Sequence, residues 1–144
     1  MQKKLTFILL VIALLSASSA CTANRATANL APGMELGKLK NFYVVQRQDD
    51  IETCELIKNN LFNRGYIITR GPQNPPPYQA DVVVTYESRW TWDFTMYMLE
   101  LTIYFRDPTN NFALAAGNSL HGSLTRKSPK EMVDEVLTSI FSAE

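Results

Sequence analysis

The stretch 98-MLELTIYFR-106 decides the fold of this 144-residue chain. Alternate residues of an extended strand point to opposite faces of a sheet. One face here receives Leu99, Leu101, Ile103 and Phe105. The other face receives Met98, Glu100, Thr102, Tyr104 and Arg106. The alternation predicts a β-strand with one face in a hydrophobic core and the other toward water.

The segments on either side of this stretch predict further strands of the same sheet. Upstream, 82-VVVTYESR-89 is rich in β-branched residues and also alternates. Downstream, Asp107-Pro108-Thr109-Asn110-Asn111 has the composition of a tight turn, and it precedes a strand from about Phe112 to Leu120. The region from residue 98 to residue 120 is therefore predicted to be a hairpin.

The N-terminal half predicts a strand, a helix and a second strand. Residues 40–47 and 66–70 have the composition of strands. Between them Asp49 and Glu52 have the spacing of a capping box, and Gly65 is placed to end the helix. Two strands joined by a helix over so few residues indicate a parallel crossover unit.

The C-terminal segment predicts a second helix. Ser128 is placed as its cap, Pro129 at its first position and Glu131 at its third. One helical face then carries Met132, Val133, Val136, Leu137, Ile140 and Phe141. We expect this face to dock on the apolar side of the sheet. The predicted fold is α/β (α+β), a two-layer sandwich with a mixed sheet of about five strands and two helices on one face.

The N-terminus predicts export. Lys3 and Lys4, the apolar run 5–15 and the small residues that follow have the order of a secretory signal peptide, predicted over 1–20. Residues 21–38 are rich in Ala, Asn, Thr and Gly and are expected to form a flexible tether that begins at a lipidated Cys21. Residues 39–144 then form a single domain.

Two processing routes fit residues 18–21. Ser18 and Ala20 suit ordinary signal peptidase, whereas Ser19-Ala20-Cys21 resembles the end of a bacterial lipobox, with Ser18 in place of the usual Leu or Val. The tether favours lipidation, because two or more acyl chains hold a soluble domain stably on a membrane. With Cys21 lipidated, Cys54 is the remaining thiol, and its helical pattern predicts a buried, unreactive side chain. Without lipidation a Cys21–Cys54 disulfide is possible.

Composition limits the partners. Removal of residues 1–20 leaves twelve basic and fourteen acidic residues, with no basic run of the kind that binds nucleic acid. The sequence has no glycine-rich phosphate loop and no spacing of His and Cys typical of a metal site. We therefore expect no cofactor, no metal and no nucleic acid.

The stretch 89-RWTWDF-94 is the candidate binding element. On an extended backbone Trp90 and Trp92 project to the same side. They form either an exposed aromatic platform for a partner or glycan or a lid that covers one end of the core. The candidate partner-binding residues are Arg89, Trp90, Trp92, Asp93, Glu100 and Tyr104.

The single histidine, His121, is the candidate for catalysis. A hydrolytic triad would place it beside Ser119 or Ser123 and a carboxylate, but no nucleophile-elbow motif is present. The simpler interpretation is a polar surface residue, and the chain is predicted not to be an enzyme.

Several motifs together resemble a family of small bacterial envelope lipoproteins of undefined function. They are the run 81–86, the W-x-W-D element at 90–93, residues 95–97, the Asp107 turn, and Lys127-Ser128-Pro129 with Met132-Val133. The resemblance implies an α/β domain that ends in a short amphipathic helix. It also implies acylation of Cys21 and, with Thr22 next to it, sorting to the outer membrane.

These observations predict a non-catalytic lipoprotein, anchored by its lipid in the outer membrane and facing the periplasm. Its expected role is to bind an envelope protein as an assembly accessory module. The alternative is a periplasmic lipoprotein that binds a glycan or small ligand, and a hydrolase built around His121 ranks last.

Overall fold

The computed structural model describes residues 26–73 and 79–144. The predicted signal peptide, Cys21 and the prolines at 75–77 lie outside the described residues. The strands are β1 (Ala26–Leu30), β2 (Asn41–Val45), β3 (Ile67–Gly71), β4 (Val82–Trp92), β5 (Met96–Arg106) and β6 (Ala113–Leu120). The α-helices are α1 (Ile51–Asn63) and α2 (Pro129–Phe141), and short 3₁₀ turns cover Leu36–Lys38 and Ser123–Thr125.

The six strands form one mixed sheet in the order β1-β6-β5-β4-β2-β3. β2 pairs in parallel with β3 and β4, and the other neighbours are antiparallel. Both helices pack on one face, so the predicted two-layer α+β arrangement with a mixed sheet is confirmed. The parallel pairing of β2 with β3 across α1 is the predicted crossover unit.

The sheet has six strands rather than about five, because β1 forms within the predicted tether. Ala26 pairs with Ser119 and Leu30 with Ala115 at the edge of the sheet. Ala28 and Leu30 pack against the main core, and Leu36 in the following turn is completely buried. Small alternating residues are a weak signal for a strand, and this one is stabilised by hydrogen bonds to β6 and by contact with α2.

One continuous core lies between the helices and the sheet. It combines Phe42 and Val44 of β2, the apolar side of β4 to β6, and the buried faces of both helices. Cys54 of α1 is fully buried, as predicted, and burial raises the pKa of its thiol. α2 begins with the predicted capping box between Ser128 and Glu131.

The cap of α1 differs from the prediction by one residue. The Asp50 side chain, and not that of Asp49, accepts a hydrogen bond from the Thr53 backbone N–H, at 3.2 Å. Asp50 is also held by the hydroxyl of Ser88 on β4, whereas Asp49 forms an ion pair with Arg47. Contacts with a neighbouring strand, distant in sequence, therefore decide which aspartate caps the helix.

A β-bulge in β5 reverses the predicted faces of two residues. Arg89 pairs with Glu100 but Trp90 pairs with Met98, so Leu99 has no partner on β4. Met98 is consequently buried in the core and Leu99 is half-buried, the reverse of the prediction for these two positions. Leu101, Ile103 and Phe105 are buried as predicted.

No helix covers the second face of the sheet within the described residues. Tyr43, Val45, Ala80 and Val83 form a small apolar cluster on this side, where the Tyr43 hydroxyl donates to the Pro72 carbonyl at 2.8 Å. We call this second side the open face. Among the described residues no helix has the length and apolarity needed to cross a bilayer.

Candidate functional site

The β4–β5 hairpin extends beyond the rest of the sheet. Pairing with β2 stops at Val84 of β4, and pairing with β6 stops at Glu100 of β5. Beyond that pair, the His121 backbone N–H donates to the Leu99 carbonyl at 2.9 Å. Residues 90–98 therefore form a two-stranded ribbon, which we call the protruding hairpin.

The tip of the protruding hairpin is apolar and exposed. Phe94 is 98% exposed, Trp92 70% and Met96 60%. Trp90 lies nearer the sheet, pairs with the core residue Met98 and is 40% exposed. The two indoles project to the same side, as predicted, but Trp92 does not cover the core. Exposed aromatic side chains on one element are a feature of interaction surfaces.

A set of polar contacts braces the tip. The Arg126 guanidinium donates to both carboxylate oxygens of Asp93, at 2.8 and 2.9 Å, and to the Thr95 hydroxyl at 2.7 Å. Its Cζ lies 4.5 Å from the centroid of the Tyr97 ring. Hydrogen bonds from Ser123 and then Arg126 hold the pKa of Asp93 below its usual range. Asp93 is therefore ionised, and its hydrogen bonds connect the protruding hairpin to the loop that precedes α2.

Arg89, Glu100 and Tyr104 lie on the open face. Arg89 and Glu100 pair across the strands in an ion pair of 2.7 Å. The Asn118 amide of β6 donates to Glu100 at 2.9 Å and to Thr102 at 2.8 Å. The Arg106 guanidinium stacks 4.6 Å from the Tyr104 ring. This face presents ordered polar groups beside an aromatic ring.

The structure thus divides the predicted site residues between two surfaces. Trp90 and Trp92 project on the helix side of the sheet, whereas Arg89, Glu100 and Tyr104 lie on the open face. Asp93 belongs to the tip. Successive residues of a strand alternate between faces, so Arg89 and Trp90 cannot contribute to one flat surface.

A groove on the open face was not predicted from the sequence. Its volume is about 360 Å³, and it is lined by Val45, Arg47, Gln73, Thr85, Tyr86, Glu87, Arg106 and Asn111. Arg106 donates to the Thr85 hydroxyl at 3.0 Å, and Arg47 to the Tyr86 carbonyl at 3.3 Å. Burial raises the pKa of Tyr86 to about 12, so this phenol stays protonated. The lining comes from separated segments of the chain, which no local motif could reveal.

His121 is a buried residue and not the predicted surface residue, with an exposed fraction of 5%. Its Nε2 lies 2.7 Å from Glu135 of α2. Ser119 donates to the same carboxylate at 2.6 Å, and Lys127 approaches it at 2.9 Å. Burial alone would raise the pKa of Glu135, but hydrogen bonds from Ser119, Lys127 and His121 outweigh it and lower the pKa to about 2.

This arrangement differs from a catalytic triad. In a triad the histidine stands between the nucleophile and the carboxylate. Here Ser119 and His121 both bind Glu135, and Ser119 is completely buried. The described residues also contain no group of three or more His, Cys, Asp or Glu side chains placed to hold a metal ion. The hydrogen bonds of Ser119, His121 and Lys127 to Glu135 link β6, the loop after it and α2.

Comparisons with known proteins identify the fold alone. No protein-family model matches the sequence, and the comparison with curated proteins finds no match. The PelC dodecamer from Paraburkholderia phytofirmans is similar in structure, with a TM-score of 0.61 and 13% identity, over 80% of this chain and 97% of that chain. The dodecamer of a single-residue variant of the same protein gives a TM-score of 0.58 and 14% identity, over 79% and 96%. This chain therefore has a PelC-like fold.

Proposed function

We propose that this chain is a non-catalytic lipoprotein of a bacterial cell envelope that binds another protein through the open face of its sheet. The lipid on Cys21 holds it in the outer membrane, with the domain in the periplasm. The order of charged, apolar and small residues before Cys21 supports export. Cys21 lies five residues before the first described strand, which supports an anchor close to the domain.

The uncovered open face is the observation that carries this proposal. Both helices pack on the other side, and among the described residues no helix covers the part of the open face that carries Arg89, Glu100 and Tyr104. Its polar groups are held in place by neighbours, as Arg89 is by Glu100 and Asn118 is by Thr102. A preformed surface loses little conformational entropy on binding, which favours association with a folded protein.

The first partner that we propose is a second copy of this chain. The solved PelC structure with the same fold is a dodecamer. Homo-oligomers are the commonest assemblies of soluble proteins, and a sheet with one uncovered face offers each copy the same interface. Envelope assembly would then be a consequence of self-association on the membrane.

A charge placed at the centre of the open face tests the proposal. We expect the mature lipidated protein, extracted in mild detergent, to form oligomers by native mass spectrometry. The Tyr104→Glu variant is expected to dissociate to monomers, because removing the new carboxylate from water at an interface costs more than its attraction to the neighbouring Arg106 returns. Within the monomer the new carboxylate lies next to Arg106, so the fold is retained.

The matched control is Phe62→Glu, which places the same charge at an exposed aromatic residue of α1, on the helix layer. This variant should assemble like the wild type. Thermal melting of both variants checks that the fold is intact. A monomeric wild type, or a Tyr104→Glu variant that still assembles, would contradict binding of a second copy through the open face.

The groove on the open face favours a second candidate, a periplasmic lipoprotein that binds a glycan or small polar ligand. Arg47, Glu87 and Arg106 supply donors and an acceptor in one concave site. Pull-down with soluble peptidoglycan fragments tests this function. Binding that is lost in Arg106→Met, while Tyr104→Glu leaves the oligomer unchanged, would favour the second candidate over the first.

A further inference from the structure

The tip of the protruding hairpin carries exposed apolar side chains that the open face leaves unexplained. Trp92, Phe94 and Met96 are mostly exposed and occupy every second position along the chain. Tryptophan and phenylalanine side chains are favoured at the boundary between lipid headgroups and acyl chains. We infer that this tip inserts into the surface of the lipid bilayer that carries the Cys21 anchor.

The register of the sheet places the start of β1 at the same end as the tip. Ala26 pairs with Ser119, and Ser119 pairs with Leu101 of β5. From Leu101 the chain of β5 runs back through Met98 to Met96, toward the tip. β1 runs from Ala26 away from that end, so the N-terminal end of β1 lies on the side of the protruding hairpin.

The lengths match. Met96 lies five residues from Leu101 along β5, which corresponds to about 17 Å of strand. Cys21 lies five residues before Ala26, and five residues reach at most about 18 Å. An acylated Cys21 can therefore stand level with the tip, and a bilayer that holds its acyl chains meets Trp92 and Phe94.

Paired charges at the tip reduce the cost of approaching lipid. The carboxylate of Asp93 is bound by both the Arg126 guanidinium and the Ser123 hydroxyl. Charged groups that keep their partners lose less hydration energy than free ones when water is excluded. The opposite end of the sheet differs, because the turn after β5 consists of Asp107, Pro108, Thr109 and Asn110.

The inference rests on the proposed lipid anchor, and the two tryptophans of the chain test it directly, since both lie on the protruding hairpin. The full mature protein is reconstituted into vesicles of phosphatidylethanolamine and phosphatidylglycerol that contain brominated phosphatidylcholine. Bromine on the acyl chains quenches indoles that reach them. We expect Trp92 emission, measured in Trp90→Phe, to fall about twofold or more and to shift to the blue, as for an interfacial indole.

The control moves the reporter to the other end of the sheet. Phe112, which follows the β5–β6 turn, is 59% exposed. In a Trp90→Phe, Trp92→Phe background, the indole of Phe112→Trp is expected to remain unquenched. Equal quenching at positions 92 and 112, or none at position 92, would overturn the inference. A blue shift without quenching would instead show that a second copy covers the tip, and would also overturn it.

The mass of the mature N-terminus, recorded on the same sample, separates two failures. A diacylated Cys21 with an unquenched Trp92 refutes insertion of the hairpin and leaves the proposed lipoprotein intact. An unmodified Cys21 refutes the anchor and, with it, both proposals.

Discussion

At the scale of single residues, the Glu135 carboxylate holds His121, the only histidine of the chain, by a hydrogen bond. Glu135 receives Ser119, His121 and Lys127, which belong to β6 and to the loop between β6 and α2. Because Glu135 itself lies on α2, these hydrogen bonds hold the second helix against β6 and the loop that follows it. The cluster explains why a histidine sits at 5% exposure without a catalytic arrangement.

Replacing Glu135 is expected to make the free energy of unfolding less dependent on pH in the acidic range. The folded-state pKa of Glu135 is about 2 against an ordinary 4.5. A depressed carboxylate pKa stabilises the fold above pH 4.5, and this contribution is lost as the pH falls from 4.5 toward 2. Glu135→Gln should lower the free energy of unfolding at pH 7 by roughly 2 kcal/mol. Urea unfolding at pH 7 and pH 3 measures the free energy of unfolding of the wild type and of the variant.

The difference between wild type and Glu135→Gln should shrink as the pH is lowered. Glu52→Gln, at an exposed residue near the start of α1, is the control and should unfold like the wild type at both values. A constant difference between pH 7 and pH 3 would show that Glu135 stabilises the fold by packing and not through its charge.

At the scale of elements, the contact between α2 and β6 depends on a glycine. A Cβ at Gly117 would lie 2.7 Å from Cγ1 of Ile140 and 2.9 Å from Cγ1 of Val136. Both side chains are completely buried. The helix therefore packs closer to β6 at this position than any larger residue would allow.

Gly117→Ala should push α2 away from the sheet. Crowding in a close-packed core costs about 1–3 kcal/mol, so we expect a corresponding loss in chemical denaturation. Gly122→Ala is the matched control, since nothing lies within 4 Å of the Cβ that it adds. Equal stability of the two variants would mean that α2 shifts without cost.

At the scale of the whole molecule, residues before the predicted domain boundary complete the fold. The sequence predicts a domain of residues 39–144, yet β1 closes one edge of the sheet and Leu36 is buried in the core. Ala28 and Leu30 also pack against that core.

Removal of this segment should destabilise the domain strongly. Loss of one buried leucine alone costs about 2–5 kcal/mol. A chain that starts at Leu39 should therefore have a much lower urea midpoint than one that starts at Thr22. Equal midpoints would show that β1 and Leu36 add nothing to stability, and that residues 21–38 serve only as a tether.

The sequence by itself determined the elements whose signals are local. The alternation of Leu101, Ile103 and Phe105 predicted a strand, and Ser128, Pro129 and Glu131 predicted the start of a helix, because side-chain periodicity and capping act between neighbours in the chain. The two-layer arrangement followed, since the apolar side of the sheet and the apolar faces of the helices had to cover each other.

Only the tertiary structure decided what depends on neighbours that are distant in the chain. β1 exists because β6 offers an edge, the bulge at Leu99 reverses the face of Met98, and Asp50 caps α1 because Ser88 and Tyr86 hold it. His121 is buried because Glu135 lies beside it. The common end of β1 and the hairpin tip follows from strand register, which no local pattern in this sequence records.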